Sequence, residues 1–495
     1  MLPPLIQRAP CSSSERGVTM PLVALSLVAI LSFAALSIDL GALYEAKAEA
    51  QRAADAAALA AAQIISTEGV TTDPTNGSGN WGQLCGGPGS YASLAATNIA
   101  NQNLIGGSPP TTVNVYYGTS AGTGKNKDCT AAATGFGINP VVSVYVQQTS
   151  LPNFFSRVFS IVNNGPSSNS GVSATAYAEA FNPSDSKGGN VIPVQPRCVK
   201  PWIVPNLDPL HGPNCTVACN KFVDLGTGSI SLPGTYPGGV IGERFWLMPD
   251  CSQGPPLPPP PQCNLRSTPP QANFYDTYSP PAQAADLEYL PGQTSFAATA
   301  VPADGTAACS AASSPGYAQS IAGCDQTTVY ACGQSSQQAV VNLVENPGIS
   351  DTTNGVQCLT HQSGTDLTQL NGQDALLPTG TLTGGAAPYY PFEIQVGTSN
   401  PLIGAGVANN SVISSSNSIV SLPIYDANNT ITQAGPNSVT IVGFLQVFIN
   451  VVDVNGNVYV TVMNVSGCGN GVGGAQPLFG TSPVPVRLIT PVPSS

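Results

Sequence analysis

Residues 17–38 read GVTMPLVALSLVAILSFAALSI, and this run contains no charged residue. At about 1.5 Å per residue, a helix of this length spans the roughly 30 Å hydrocarbon core of a bilayer. Thr19 is suited to cap the start of such a helix, and Pro21 falls in the first turn, where its missing N–H costs little. The sequence therefore predicts a transmembrane helix over residues 18–38, preceded by a short cytoplasmic segment, residues 1–17.

The next residues predict that this helix continues beyond the membrane. Residues 39–66 read DLGALYEAKAEAQRAADAAALAAAQIIS, in which alanine, the strongest helix former, dominates. Glu45, Glu49 and Arg52 recur along one stripe at helical spacing, and the other faces are nearly all alanine, which permits close approach of another helix. We therefore expect one helix of about fifty residues, whose Ala-rich stalk, residues 39–66, rises roughly 40 Å above the bilayer.

A cleaved signal peptide is the main alternative to an anchor. Ser32-Phe33-Ala34 would then be its small-residue cleavage site. The apolar region of a signal peptide usually runs about 7–15 residues, and this run is longer. An uncleaved anchor is therefore favoured over a signal peptide, and both are favoured over a buried core helix.

Cysteine usage indicates which side of the membrane the large region occupies. The flanking charges are nearly balanced, with Arg8 and Arg16 before the span and Lys47 and Arg52 after it. Of the 13 cysteines, only Cys11 precedes the span, and an even set after it is typical of a disulfide-bonded exported domain. The amino terminus is therefore predicted in the cytoplasm and the large region in the periplasm or outside the cell. The cysteines predicted to form disulfides are Cys85, Cys129, Cys198, Cys215, Cys219, Cys251, Cys263, Cys309, Cys324, Cys332, Cys358 and Cys468.

Ordered polar residues in and around the helix carry a more specific signal. Arg16-Gly17 precedes the span, Asp39-Leu40-Gly41 ends it, and residues 51–59 read QRAADAAAL. This order resembles the TadE/TadG-type amino-terminal motif of Flp (tight-adherence) pilus-assembly proteins, over residues 16–66. The matching motif residues are Arg16, Gly17, Asp39, Gly41, Tyr44, Gln51, Asp55, Ala56 and Leu59.

The resemblance implies a bacterial inner-membrane protein that contributes to pilus biogenesis and adherence. Its implied partners are other Tad proteins, either TadE/TadF-like proteins or the secretion platform, and it implies no catalytic residue and no cofactor. Prepilins carry a Gly before the cleavage point and a Glu five residues into the mature helix. Here the fifth residue after Gly17 is Leu22, and the span contains no Glu. The resemblance therefore favours the TadG type, which is retained in the membrane, over processed TadE/TadF pseudopilins.

Asp39 lies at the outer boundary of the predicted span, where the headgroup region can solvate it. Two roles are open for this carboxylate: an ordinary interfacial residue, or a contact to a partner inside an assembly.

Composition excludes nucleic acid as a partner. Charged residues make up 8% of the chain and its formal net charge is −12, whereas a nucleic-acid surface needs clustered Lys and Arg. With 52 Gly and 46 Pro, the sequence favours short strands joined by many turns.

The exported part divides into three predicted regions. Residues 67–185 form a mixed α/β region, residues 186–395 are rich in Cys and Pro and contain the Pro255–Pro260 tract, and residues 396–495 form a β region with a Gly/Pro-rich tail. The predicted elements of the first region are a helix over 90–104, strands over 111–118, 140–148 and 172–181, and an aromatic run over 153–161. In the last region, strands 440–450 and 458–463 flank Asn455-Gly456, the preferred pair for a type I′ hairpin turn.

Motifs for enzyme chemistry are weak. Gly118-x-Ser120-x-Gly122 matches the nucleophile-elbow pattern, but a loop-like segment follows where a helix is needed. Gly118–Lys125 is one residue too long for a P-loop and is followed by Asn126, so no nucleotide is expected.

Metal motifs are weak as well. His211-x3-Cys215-x3-Cys219 lacks the tighter pairs of a structural zinc site, and disulfides explain its cysteines better. Asp453–Asn457 resembles part of a calcium loop, but a hairpin turn explains it better. The sequence contains no Asp-x-Ser-x-Ser adhesion motif, and we expect no bound metal.

The sequence thus predicts an α+β protein: one transmembrane helix, an Ala-rich stalk, and a mainly β, disulfide-bonded exported region. The favoured function is a membrane-anchored structural or assembly component of a Flp pilus system. An exported envelope adhesin with a similar anchor is the alternative, and a periplasmic hydrolase is the least favoured class because the chain has only 2 histidines and no converging acid–base motif.

Overall fold

The structure is a computed structural model. It describes residues 19–69, 71, 81–119, 126–131, 136–137, 139–151, 170–185, 194–211, 221–236, 238–249, 272–273, 285–292, 306–313, 316–324, 330, 338–341, 349–379, 388–390, 392–426, 437–468, 478–480 and 482–490.

The predicted long helix is present as α1, which runs without interruption over Thr19–Thr67. Its end is set locally. The Thr67 hydroxyl donates to the carbonyl of Ile64 at 3.0 Å, and Gly69 adopts a positive φ of 78°. A glycine in this left-handed conformation is a common helix terminator because a Cβ would be strained there. A Cβ on Gly69 would also come within 2.8 Å of the Met463 carbonyl oxygen, so the chain turns back close to the sheet at this point.

The rest of the described chain is mainly β. The other helices are α2 (Trp81–Cys85), α3 (Tyr91–Gln102), α4 (Ala307–Ala312), α5 (Tyr317–Ala322), α6 (Ile349–Thr360) and α7 (Pro401–Gly404). The strands are β1 (Thr112–Thr119), β2 (Pro140–Leu151), β3 (Ser170–Ala180), β4 (Val194–Pro196), β5 (Trp202–Pro205), β6 (Arg244–Pro249), β7 (Ala272–Asn273), β8 (Ala285–Pro291), β9 (Gln338–Val341), β10 (Ala375–Leu376), β11 (Ile394–Gln395), β12 (Val412–Ile413), β13 (Ile419–Tyr425), β14 (Asn437–Val452), β15 (Val458–Gly467), β16 (Leu478–Gly480) and β17 (Val486–Leu488). The α+β fold class is confirmed.

The largest sheet closes into a barrel. Its strand order is β13-β5-β8-β6-β15-β14, and β14 also pairs with β13, which leaves no free edge in this set. The β5–β13 and β6–β8 pairs are parallel, and the other four pairs are antiparallel. Closure removes the unpaired edges that make open sheets prone to aggregation. Beyond the barrel, β9 pairs with β14 and β7 pairs with β8.

The β14–β15 hairpin supplies much of the barrel core. Every residue of β15 is buried, as expected for a strand covered on both faces. The β14–β15 pairing shifts register twice, between Gln446 and Val447 and between Ile449 and Val451, and such irregularities let the long hairpin bend.

The hairpin is confirmed, but its type I′ turn is wrong. Of the two central residues only Gly456 has a positive φ, of 76°, whereas a type I′ turn needs positive φ at both. The cause is the Asp453 carboxylate, whose Oδ1 accepts the amides of Asn455 and Asn457, each at 2.8 Å. The connection is therefore a five-residue loop organised by an aspartate side chain.

A second sheet has the order β1-β2-β3-β17. Its first three strands and helix α3 confirm the elements predicted between residues 90 and 181, whereas the aromatic run 153–161 lies outside the described residues. Strand β17 comes from the predicted Gly/Pro-rich tail and pairs with the end of β3. Arg487 on β17 forms an ion pair with Glu179 at 3.0 Å, which fixes this pairing. Two small sheets, β10-β11-β12 and β4-β16, complete the described strands.

The chain divides into two compact units. The first comprises Met1–Ala54, Ile99–Asn114 and Tyr145–Thr175, and the second comprises Asp55–Asn98, Val115–Val144 and Ala176–Ser495. Strands from the predicted regions 186–395 and 396–495 share the barrel, all within the second unit.

Three disulfides join the described cysteines. They are Cys85–Cys129, Cys198–Cys324 and Cys309–Cys358, with Cα–Cα distances of 5.4, 4.4 and 4.7 Å. Cys468 is also disulfide-bonded. These bonds agree with the predicted disulfide-rich region. Cys215, Cys219, Cys251, Cys263 and Cys332 lie outside the described residues.

Candidate functional site

Helix α1 begins with an exposed apolar surface. The most apolar window of the helix has a mean hydropathy of 2.4, and none of that window is buried by the rest of the chain. Met20, Leu25 and Phe33 are each more than two-thirds exposed. An uncovered apolar surface of this length is suited to lipid and not to water.

The second half of α1 is different because its alanine face is buried. Ala46, Ala50, Ala53, Ala57 and Ala61 recur every three or four residues and are all buried. The chain's own residues cover this face. Alanine is the residue that lets a helix backbone approach its surroundings most closely without losing helix propensity.

The carboxy-terminal end of α1 is tied to the β14–β15 hairpin by a closed ring of hydrogen bonds. The Ser66 hydroxyl donates to the Val484 carbonyl at 2.6 Å, and the Val484 amide donates to the Ser482 hydroxyl at 3.1 Å. The Gln446 amide group donates to the same hydroxyl at 3.0 Å. Asn464 closes the ring, since its amide group donates to Gln446 Oε1 at 2.5 Å and to the Ser66 carbonyl at 2.8 Å. We call these five residues the junction ring.

The junction ring is fully internal, so its bonds face no competition from water. Ser66 and Asn464 are completely buried, and Gln446 and Ser482 are nearly so. The Thr71 hydroxyl adds a further bond to Asn464 Oδ1 at 3.2 Å. Buried polar networks of this kind stabilise one arrangement when every member is satisfied, and they are costly when one member is lost. The ring therefore fixes the end of α1 in one position on β14 and β15.

Polar contacts also hold the middle of α1 within the first unit. Glu49 Oε2 accepts the Gly106 amide at 2.7 Å, and Lys47 Nζ donates to the Ser173 carbonyl. Gly106 has a φ of 59°, and a Cβ there would lie 2.5 Å from the Leu151 side chain, so only glycine fits. A cleft of about 280 Å³ lies beside this contact, below the usual size of a small-molecule site.

The predicted motif residues lie along the helix and do not converge on a pocket. Tyr44 is 70% exposed, and a Cβ on Gly41 would meet nothing within 4 Å. Asp39, Gln51, Asp55, Ala56 and Leu59 are partly exposed. Arg16 and Gly17 lie outside the described residues. The buried face of this stretch is formed by neighbouring alanines such as Ala54, Ala57 and Ala58, and the named motif residues of the helix lie mainly on its other sides.

Comparison with protein families identifies this helix. Residues 17–63 match the family model described as "Putative Flp pilus-assembly TadE/G-like". This segment is a TadE/G-like domain. The resemblance predicted from the ordered polar residues is confirmed over that range, and it relates this segment to Flp pilus assembly. The comparisons with curated proteins and with solved structures gave no match.

A buried carboxyl group lies directly after the TadE/G-like helix. Glu68 is 3% exposed, and its Oε2 has no hydrogen-bond partner among the described residues. Burial, and then the nearby Glu393 carboxylate, raise the pKa of Glu68 well above its usual range. Burial also raises the pKa of Tyr91, with smaller contributions from Glu393 and Glu68. These three side chains form an acidic group that favours a proton on Glu68.

Glu68→Gln should make folding less sensitive to pH. Because the folded state holds the Glu68 proton more tightly than the unfolded state, this residue favours folding below the unfolded carboxyl pKa. That contribution is lost as the pH rises through the raised folded-state pKa. The variant should match the wild type at about pH 5 and be the more stable protein at about pH 8. Chemical denaturation of the full chain in detergent measures this. Glu45→Gln, at an exposed position of the same helix, is the control, and an equal difference at both pH values would contradict the prediction.

The weak enzyme motifs gain no support. The nucleophile-elbow and P-loop matches fall largely outside the described residues, since 120–125 are not described. Asp453 serves the hairpin loop through Asn455 and Asn457, which uses its carboxylate for backbone amides.

One polar cluster was missed by sequence reasoning. Asp208, His211 and Glu243 place one ligand atom each within 4.8 Å of one another. The sequence drew attention to His211 because of the cysteines that follow it, but its neighbours are Asp208, three residues earlier, and Glu243, far along the chain. The Asp-x-x-His spacing was the available signal, whereas Glu243 required knowledge of the sheet.

Proposed function

We propose that this chain is a structural component of a Flp-type pilus-assembly system, anchored in the bacterial inner membrane. The observation that carries the proposal is the two-part character of α1. Its first half is an exposed apolar helix of membrane length, the alanine face of its second half is buried, and the TadE/G-like match extends over both halves. The membrane-length segment and the Ala-rich segment thus belong to one continuous helix, Thr19–Thr67.

Anchoring follows from what the first half of α1 exposes. Residues 19–38 form about 30 Å of helix, the thickness of a hydrocarbon core. Tyr44 lies between one and two helical turns beyond the end of this span, at residue 38, and is exposed. It is suited to the headgroup region, where aromatic side chains concentrate. Ser32-Phe33-Ala34 lies in the middle of an uninterrupted helix. The length of the apolar helix supports a retained anchor over a cleaved signal peptide.

Orientation follows from the disulfides. All three described disulfides lie on the carboxy-terminal side of the span. Such bonds form and persist in the periplasm and are rare in the cytoplasm. The amino terminus therefore faces the cytoplasm, and the β region faces the periplasm.

The role is structural and the chain is retained, as in the TadG type. The span lacks the Glu that prepilins place near the start of the mature helix. Partners are other Tad proteins, TadE/TadF-like or from the secretion platform, and the role includes adherence and requires no cofactor. An exported envelope adhesin with a similar anchor is the second candidate, because the family match ends at residue 63 and does not extend to the barrel.

A genetic replacement tests the proposal. The gene is deleted and replaced either by the wild type or by residues 39–495 behind a cleavable signal peptide. Surface pili should be lost on deletion and restored only by the anchored form. Normal pili in the deletion strain, with reduced adherence, would favour the adhesin. Restoration of pili by the unanchored form, with its disulfides intact, would contradict the anchoring role.

A further inference from the structure

The cluster of Asp208, His211 and Glu243 is independent of the TadE/G-like helix. His211 Nδ1 lies 2.7 Å from Asp208 Oδ2 and 2.6 Å from Glu243 Oε1. Both carboxylate side chains are completely buried, whereas the imidazole is 15% exposed. The two carboxylates are therefore closed off from solvent, and the cluster is open to solvent only on the side where His211 lies.

The barrel topology brings these residues together. Strand β8 lies between β5 and β6, pairing antiparallel with β5 and parallel with β6. The end of β5 and the start of β6 therefore meet at the same edge of the sheet. Asp208 follows β5 closely, and Glu243 immediately precedes β6. Glu243 is held by its backbone as well, because its carbonyl accepts the Val462 amide at 2.8 Å.

The two carboxylates are used differently. Asp208 Oδ1 accepts the backbone amides of Leu210 at 2.9 Å and His211 at 3.2 Å, which leaves Oδ2 directed at the imidazole. Nδ1 can carry at most one proton, and Asp208 Oδ2 and Glu243 Oε1 both lie within hydrogen-bond distance of it. Glu243 Oε1 lies 2.6 Å from His211 Nδ1, whereas Oε2 has no hydrogen-bond partner among the described residues. A completely buried carboxyl group with an unpartnered oxygen is costly, and such groups are normally paired with a cation or bound to a metal.

No basic side chain provides that compensation. Within the described part of the chain, His211 is the only cationic side chain at ion-pair distance from Asp208 or Glu243. A single imidazole carries at most one positive charge, whereas a divalent ion would compensate both carboxylates. The Tyr236 ring packs against His211 with a centroid separation of 6.1 Å and restricts how far the imidazole can move.

We propose that Asp208 Oδ2, His211 Nδ1 and Glu243 Oε1 bind a divalent first-row transition-metal ion. The imidazole ligand favours ions such as Zn²⁺ or Mn²⁺ over Ca²⁺ and Mg²⁺, which prefer all-oxygen sites. Three protein ligands leave the solvent side for water, and bonds of about 2.0–2.2 Å require only a small separation of the side chains. The ion would tie the end of β5 to the start of β6. This assignment does not depend on the pilus role.

Metal titration of the full chain tests the site. The protein is purified in detergent with its disulfides intact, free thiols are alkylated, and metal is removed by chelator dialysis before Zn²⁺, Mn²⁺ or Co²⁺ is added. We expect one equivalent of ion per chain, measured by calorimetry and elemental analysis, and Co²⁺ absorption bands typical of a nitrogen–oxygen site. Glu243→Gln, a neutral variant of the same shape, should weaken binding by about 100-fold or more.

Asp208→Asn is the second variant, and it has a matched control. Asp366 Oδ1 accepts the Thr368 amide at 2.8 Å, in the same local arrangement as Asp208 with Leu210. Asparagine preserves that acceptor at both positions, so Asp208→Asn should lose the ion and Asp366→Asn should keep it. If the wild type binds none of the three ions, or if both site variants bind them as tightly as the wild type, the proposal is wrong.

Discussion

Replacing Cys309 and Cys358 together by alanine should lower the free energy of unfolding by about 4 kcal/mol, because their disulfide closes a loop of about fifty residues. The bond joins α4 to α6 across a Cα–Cα distance of 4.7 Å, and both cysteines are buried. Without it, the unfolded chain regains the freedom of residues 309–358. Helix α4 would then be held mainly by the small core around Ala312, Ala318 and Ala322, whereas α6 also packs into the main core through Val356 and Leu359.

Chemical denaturation of the oxidised full chain measures this loss. Ser310→Ala with Ser350→Ala is the control, since these exposed residues lie in the same two helices. That control should change the free energy of unfolding by no more than about 0.5 kcal/mol. A non-reducing gel should also show a slower band for the cysteine variant. Equal stability of the two proteins would mean that this bond does not form in the cell.

Asn464→Leu should lower the free energy of unfolding by about 3 kcal/mol, because it breaks the junction ring in a buried region from which water is excluded. The variant removes both bonds from the Asn464 amide group, to the Ser66 carbonyl and to Gln446 Oε1. It also removes the acceptor of the Thr71 hydroxyl. Each of these groups is left buried and unpaired, so the end of α1 loses its fixed position on the hairpin.

Ser466→Ala is the matched control for this variant. Ser466 lies two residues further along β15, on the same face, and is equally buried. Its hydroxyl has no hydrogen-bond partner among the described residues, so removing it breaks nothing. We expect the control to be at least as stable as the wild type and Asn464→Leu to release the helix end to proteases. Similar denaturation curves for the two variants would refute the role of the ring.

The helix and the hairpin were predictable because their signals are local. The uncharged run 17–38, the alanines after it and the ordered residues up to Leu59 lie within one continuous segment. Helix periodicity and composition therefore decided the fold there. The strands on either side of Asn455-Gly456 are likewise adjacent in sequence, although the Asp453 side chain changed the turn.

Barrel closure, the junction ring and the metal cluster were not predictable from local pattern. The parallel β5–β13 pairing joins Val204 to Ile424, which lie more than two hundred residues apart. Asn464 and Ser66, like Asp208 and Glu243, carry no sequence signal that links them. Burial of the alanine face was not predictable for the same reason. Periodicity shows which side of a helix is apolar, but it does not show which residues cover that side.

The intact mass of the chain recovered from washed bacterial membranes tests the central claim most directly, namely that α1 is a permanent anchor continuous with the folded β region. The protein should remain in the membrane pellet after alkaline carbonate extraction, and its mass should include residues 17–38. A soluble periplasmic chain whose sequence begins just after Ala34 would contradict the account.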